Sequence, residues 1–166
     1  MTENTITPEE FRRACGLWAT GVSIVTTVDA DGKAYGLTMN AVTSLSLNPP
    51  MFIVCVDNNS DTLAPMSDSK VFCINVLAST QQELSNRFAK KGDDKFNGIP
   101  HARGTTGAPL LDGALLCIEC EVGNIVAGGD HQIMLGRVQR VVTNNEPGAE
   151  PLLYFGGRYA GLANAV

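Results

Sequence analysis

GLTMNAVTSLSLNPPMFIVCVDNNSDT, residues 36–62, holds two apolar strand-like runs separated by a proline pair and flanked by clustered hydroxyls and amides. Asn48-Pro49-Pro50 interrupts regular structure, and MFIVCVD (51–57) resumes as a buried strand. Thr38, Asn40, Thr43, Ser44 and Ser46 are interleaved with Leu37, Met39, Ala41, Val42, Leu45 and Leu47, so polar groups sit in a segment expected to be largely buried. A buried polar group without a partner costs about 1–3 kcal/mol. The partner is either the protein's own backbone, closed into local turns, or a ligand, and the pattern leaves both open. The stretch reads as the wall of a binding site.

Upstream, Thr7-Pro8-Glu9-Glu10 is a helix start with a capping hydroxyl, proline at the first helical position and Glu10 completing a capping box. Phe11, Ala14, Cys15 and Trp18 fall at helical spacing, so one face is expected to be buried with Trp18 as a core anchor, ending at Thr20-Gly21. VSIVTTV (22–28) reads as a strand, DADG (29–32) as a tight turn and KAYGLTM (33–39) as the returning strand. Downstream, Asn58 to Ser60 is a polar turn and DTLAPMSDS (61–69) a short helix. Its N-terminus would suit a phosphate, with Ser60 and Thr62 adding hydroxyls, although Asp61 alone could cap it.

Val71 to Leu77 is another strand, and Ser79 to Lys90 a helix with a Ser79/Gln82 box and a buried side of Leu84, Phe88 and Ala89. Lys90, Lys91, Asp93, Asp94 and Lys95 read as a solvated mixed-charge loop, and 97–112 as one long loop. The last third reads as two long antiparallel strands, Ala114 to Ala127 and Gln132 to Thr143, with a bulge at Gly136. PLLYFGGRY (151–159) is a short strand ending in Gly156-Gly157. Many strands, hairpin turns and few short helices predict a mainly β fold, an antiparallel split β-barrel with a few peripheral helices.

A chain of 166 residues fits one domain, residues 1–166. A net charge of −5 leaves no basic stripe for a nucleic acid, and no apolar run approaches the ~20 residues of a membrane helix. With no cationic-then-apolar leader in MTENTITPEE, the expected location is cytoplasmic. Five cysteines in a reducing compartment are expected to be free thiols. Cys117 and Cys120 have CxxC spacing, but on a strand residues three apart face opposite ways, which disfavours a redox pair or a zinc site. No metal is expected. There is no GxSxG, Walker loop or HExxH, and no Gly-rich dinucleotide fingerprint.

The order of WATGVSIVTT (18–27), residues 36–62, FCINVLASTQQELSNRFA (72–89), DKFNG (94–98), GDHQIMLGRV (129–138) and PLLYFGGRY (151–159) resembles the flavin reductase family, over about residues 8 to 160. These are the reductase components of two-component flavin monooxygenases, split-barrel proteins that bind FMN or FAD. The resemblance implies hydride transfer from NADH or NADPH to FMN or FAD, with no catalytic base, because the hard chemistry belongs to the cofactor. It implies that Thr38, Met39, Asn40, Ala41 and Val42 hydrogen-bond the isoalloxazine edge. Ser44 and the segment containing Cys55, Val56, Asp57, Ser60 and Thr62 would line the ribityl chain and phosphate. Arg87 would supply compensating charge beside Phe88. His131 and Tyr154 would stand near the nicotinamide, and Arg158 near an outer phosphate. His131 could instead only close its hairpin. Phe155-Gly156 stands where the family usually has Phe-Arg, so the choice between FMN and FAD stays open. A homodimer and a partner monooxygenase are implied. Kept open are a split-barrel flavoprotein acting on cobalamin, ferric iron or a pyridoxine-phosphate-like molecule, and a non-catalytic flavin binder.

Overall fold

In the computed structural model, which describes residues 6–92, 94–144 and 146–163, α1 (Pro8–Gly16) begins as its sequence dictates. Thr7 Oγ accepts the Glu10 N–H at 3.2 Å and the Glu10 carboxylate accepts the Thr7 N–H at 2.9 Å. The expected burial fails, however: no helix residue is buried, and Phe11 and Trp18 are 61% and 77% exposed. Trp18 is therefore not a core anchor, because the strands close the core among themselves and α1 lies outside it.

After β1 (Thr20–Gly21), β2 (Ser23–Val28) and β3 (Ala34–Met39) form the predicted hairpin. The Asp29 carboxylate closes its turn by accepting the Asp31 and Lys33 N–H groups. The chain then bends at Asn40-Ala41 into β4 (Val42–Leu47), and a turn with a cis Asn48–Pro49 bond leads to β5 (Pro50–Asp57). Here the expectation of burial is half right. Met39, Val54 and Val56 are core residues, whereas Thr43, Ser44, Leu45 and Leu47 on β4 are exposed because β4 ends the sheet.

The short helix α2 (Leu63–Ser69) precedes β6 (Val71–Val76). The helix expected over 79–90 is a 3-10 turn, Ser79–Gln81, followed by α3 (Gln82–Phe88). Its cap sits earlier than expected, with the Ala78 N–H donating to Gln81 Oε1 at 3.0 Å. The expected long loop contains a hairpin, β7 (His101–Arg103) with β8 (Pro109–Leu111). Alternation over such short runs is invisible between glycines and prolines. The long pair is β9 (Leu116–Gly128) and β10 (His131–Thr143). Its register shifts between Leu135 and Gly136, the extra residue being Gly123 on β9, and again between Val138 and Arg140. The bulge expected at Gly136 thus lies on the strand opposite it. β11 (Leu153–Phe155) and β12 (Arg158–Ala160) turn at Gly156-Gly157 and pair with β1.

The main sheet runs β3-β2-β6-β9-β10-β5-β4, all neighbours antiparallel. Its two end strands, β3 and β4, are consecutive in the chain, so the sheet curls into a barrel split where Asn40 and Ala41 pass between them. The barrel is filled by Val25, Met39, Val54, Val56, Met66, Phe72, Ile74, Ile118, Cys120, Val122 and Met134. A Cβ on Gly136 would run into the Phe72 ring, so only glycine lets β10 pass there. Cys120 points into this core while Cys117 packs with Cys73, Ala108 and Ala114 on the other face, as strand alternation requires. Burial pushes the Cys120 thiol up to about 12, which keeps it inert. Glu119, on the same face of β9 as Cys117, is fully buried. Thr105 and Thr106 fold over it, and their hydroxyls and the Thr106 N–H donate to Oε2 at 2.9–3.1 Å.

Candidate functional site

The split in the barrel opens onto a groove of three adjoining cavities. The largest, about 570 Å³, lies between α1 and the β4–β5 pair, with Trp18, Val42, Ile53 and Cys55 among its walls. Asn40 joins it to a second of about 200 Å³, walled by Thr38, Met39, Tyr154 and Tyr159. Thr38 and Ala89 join that one to a third, also about 200 Å³, where Lys90, Lys91 and Lys95 face Asn59, Ser60 and Asp57. The groove is thus apolar at one end and rich in lysine and hydroxyl groups at the other, where the carboxylates of Asp57 and Asp61 also stand.

Most of the residues singled out in the sequence come together here. Thr38 Oγ donates to the Ser85 carbonyl at 2.6 Å, and the Ala41 carbonyl accepts the Cys55 N–H at 3.0 Å, which ties the bend to β5. Asn40, Ala41 and Val42 follow one another along the first cavity. Burial raises the Cys55 thiol above its usual value, so it stands in the wall as a neutral group. Asp57 Oδ1 accepts the Asn59 N–H at 2.7 Å, which holds its carboxyl below the usual range. Ser60 Oγ accepts the Thr62 N–H at 3.3 Å, and Thr62, almost wholly buried, lines a small pocket with Asp61 and Lys95. Phe88 is fully buried, its ring packed so close to Gly36 that a Cβ there would stand 2.9 Å from it, which is how α3 reaches β3.

Other residues lie elsewhere. Val56 points into the core, Ser44 is exposed on β4 opposite Phe52, and Arg158 is exposed opposite Phe155 on the outer hairpin. Arg87 Nη2 donates to the carbonyls of Asp94 and Asn97 at 2.9 and 2.6 Å, so its guanidinium holds a loop. His131 sits across from Asp57 in the β5–β10 register, its Nδ1 2.7 Å from the Asp130 carboxylate. A carboxylate oxygen accepts, so Nδ1 carries the hydrogen of this pair and Nε2 is the ring nitrogen left for another partner.

Two site residues were missed from the sequence. Lys95, expected in a solvated loop, is half-buried and donates to the carbonyls of Gly36 and Phe88 at 3.0 and 3.4 Å; desolvation lowers its pKa. The signal was Phe96 beside it, an aromatic in a charged run, which stacks edge-on against Phe88 at 4.9 Å. Asp93 of that run lies outside the described residues. Tyr159 packs edge-on against Tyr154, ring centroids 5.6 Å apart.

The groove's chemistry fits a flavin nucleotide. At the large cavity the Thr20 hydroxyl oxygen is buried without a hydrogen-bond partner. β3 and β4 each pair on one side only within the sheet, so their outer edges turn backbone groups toward the split. A flat ring with a polar edge matches the apolar end, and an anionic tail matches the three lysines.

A split barrel with a groove of this kind defines a class of flavin-handling proteins, and the comparisons with known proteins agree. The chain belongs to the family of the flavin reductase like domain, whose model matches residues 15–163. It is 35% identical over 163 residues to a flavin reductase of Pseudomonas putida, covering 98% of this chain and 95% of that one. It is 38% identical over 162 residues to HsaB, the reductase subunit of a flavin-dependent monooxygenase of Rhodococcus jostii (strain RHA1), covering 98% of this chain and 82% of that one. The solved structure of the NADH:FAD oxidoreductase SgcE6 of Streptomyces globisporus C-1027, in complex with NAD and FAD fragments, matches with a TM-score of 0.88 at 32% identity, over 97% of this chain and 98% of that one.

Proposed function

We propose that this protein is an NAD(P)H-dependent flavin reductase, a single flavin-binding domain that passes hydride from NADH or NADPH to FMN or FAD and supplies reduced flavin to a partner monooxygenase. The observation that carries this reading is the groove, with an apolar end for a ring and a lysine-rich end for a phosphate. Bound there, the flavin supplies the hydride-accepting chemistry. The chain's own residues hold and orient. Thr38 to Val42 meet the ring edge, Met39 through its backbone because its side chain is buried in the core. Ser60, Thr62 and Lys95 gather at the tail, Lys95 taking the charge-compensating role that the family resemblance assigned to Arg87. Cys55 and Tyr154 close the walls. His131, its Nδ1 held by Asp130, offers Nε2 to the nicotinamide as a hydrogen-bonding group.

The molecule works as a homodimer in the cytoplasm. Supporting the first are the exposed large apolar side chains Phe11, Leu17, Trp18 and Leu47; supporting the second are five unpaired thiols. No described helix is long and apolar enough to cross a membrane.

Steady-state oxidation of NADH and NADPH with FMN, FAD or no flavin tests the activity. Turnover that needs added or bound flavin is expected, and His131→Ala is expected to raise the nucleotide KM or slow hydride transfer about tenfold, the worth of one well-placed hydrogen bond. Unchanged kinetics in that variant would leave His131 as a hairpin closure.

A further inference from the structure

The hydrogen bonds behind Thr38 fix the direction in which its hydroxyl can act. Thr38 lines the second and third cavities, and its Oγ lies 2.6 Å from the Ser85 carbonyl oxygen. A carbonyl cannot donate, so the one hydroxyl proton of Thr38 points at Ser85 and away from the groove. That carbonyl also accepts the Ala89 N–H at 3.0 Å, which fills its two lone pairs. Toward a ligand, Thr38 therefore has lone pairs to offer and no proton.

The arrangement is held from behind. Ser85 is fully buried, and its hydroxyl lies 2.9 Å from the Tyr159 hydroxyl. Tyr159 donates its proton to Asn86 Oδ1 at 3.0 Å, so the Ser85 hydroxyl donates to Tyr159. This directed pair pins α3 to β12, and α3 in turn presents the Ser85 carbonyl to β3.

We propose that Thr38 reads the ligand as an obligate hydrogen-bond acceptor, with Ser85 and Tyr159 as positioning residues, and that the group it reads is the ring imide N–H of oxidised flavin. The proposal rests on the flavin reading above and deepens it. The oxidised isoalloxazine carries one ring N–H, at N3, and its other edge atoms only accept. Aromatic walls beside Thr38, Tyr154 and Tyr159, favour the ring over the ribityl hydroxyls as its neighbour. An imide alkylated at N3 would leave the Thr38 lone pairs facing carbon, so this position selects for the unsubstituted ring.

The test is a set of binding titrations, followed by quenching of flavin fluorescence, of FMN and 3-methyl-FMN against the wild type, Thr38→Val, Thr38→Ser and Tyr159→Phe. In the wild type and Thr38→Ser, N3 methylation is expected to weaken binding about 5- to 10-fold, the worth of one neutral hydrogen bond. In Thr38→Val the loss on methylation falls to less than about 2-fold while FMN itself binds about 5- to 10-fold more weakly. Tyr159→Phe lies between, because its effect passes through Ser85; a structural role alone would weaken both ligands equally. Equal binding of the two flavins by the wild type, or the same methylation loss in Thr38→Val, overturns the proposal and leaves the flavin reading intact. Quenching of neither of these flavins, nor of FAD titrated alongside them, overturns both.

Discussion

Lys95 brings a positive charge to the groove from a segment that reads as surface. Its ammonium uses two of its three protons on the carbonyls of Gly36 and Phe88 and keeps one for a ligand. Lys95→Met is expected to weaken FMN binding about tenfold while leaving riboflavin, which lacks the phosphate, within about twofold; equal losses for both would mean that Lys95 only braces β3 against α3. Stability also reports on it. Desolvation sets its folded pKa below the usual 10.5, with Asp61 opposing the shift. Between the lowered value and 10.5 the unfolded chain binds more protons than the folded one, so this group makes stability rise with pH across that window. Below the window the cost of the buried charge is present in full. The difference in Tm between wild type and Lys95→Met should therefore change in the wild type's favour as pH climbs through that range. The Thr7–Glu10 cap and the opposed faces of Cys117 and Cys120 were legible because they depend on spacing within one element. Lys95, Glu119 and Tyr159 were not, because what buries them is a distant segment folding over them, and no local pattern records that.

At the scale of elements, the β9–β10 ladder carries the core, and its tightest point is Gly136 beneath the Phe72 ring. Gly136→Ala is expected to destabilise by about 1–3 kcal/mol through overpacking, read as a lower midpoint in denaturant with the slope unchanged. A neutral result would mean that Phe72 can swing aside. The order of long strands, hairpins and short helices was readable from alternation and turn residues. The β7–β8 hairpin was not: three residues per strand give no period, and Pro109 hides the second strand. The groove wall was half readable. Residues 37–43 with Ile53, Cys55 and Asp57 do form it and 44–52 do not, because whether a strand sits inside the sheet or at its end decides burial, and that depends on topology.

For the whole molecule, α1 teaches the same lesson. Its amphipathic face is real, yet no helix residue is buried among the described residues, which leaves Phe11, Leu17 and Trp18 uncovered, Trp18 beside the groove. In the proposed homodimer a second copy covers this surface. Trp18→Asp is expected to shift sedimentation from dimer toward monomer, and a wild type that sediments as a monomer at micromolar concentration would contradict the dimer. The central claim, hydride passing from nicotinamide to flavin in the groove, is tested most directly by an anaerobic absorbance titration of the protein with FMN or FAD, followed by NADH and then NADPH. Rapid bleaching of the oxidised flavin band at catalytic protein concentration is the predicted result, and it names the preferred flavin and nucleotide. Flavin that binds but is bleached by neither nucleotide would contradict the claim and leave a flavin-binding protein of another kind.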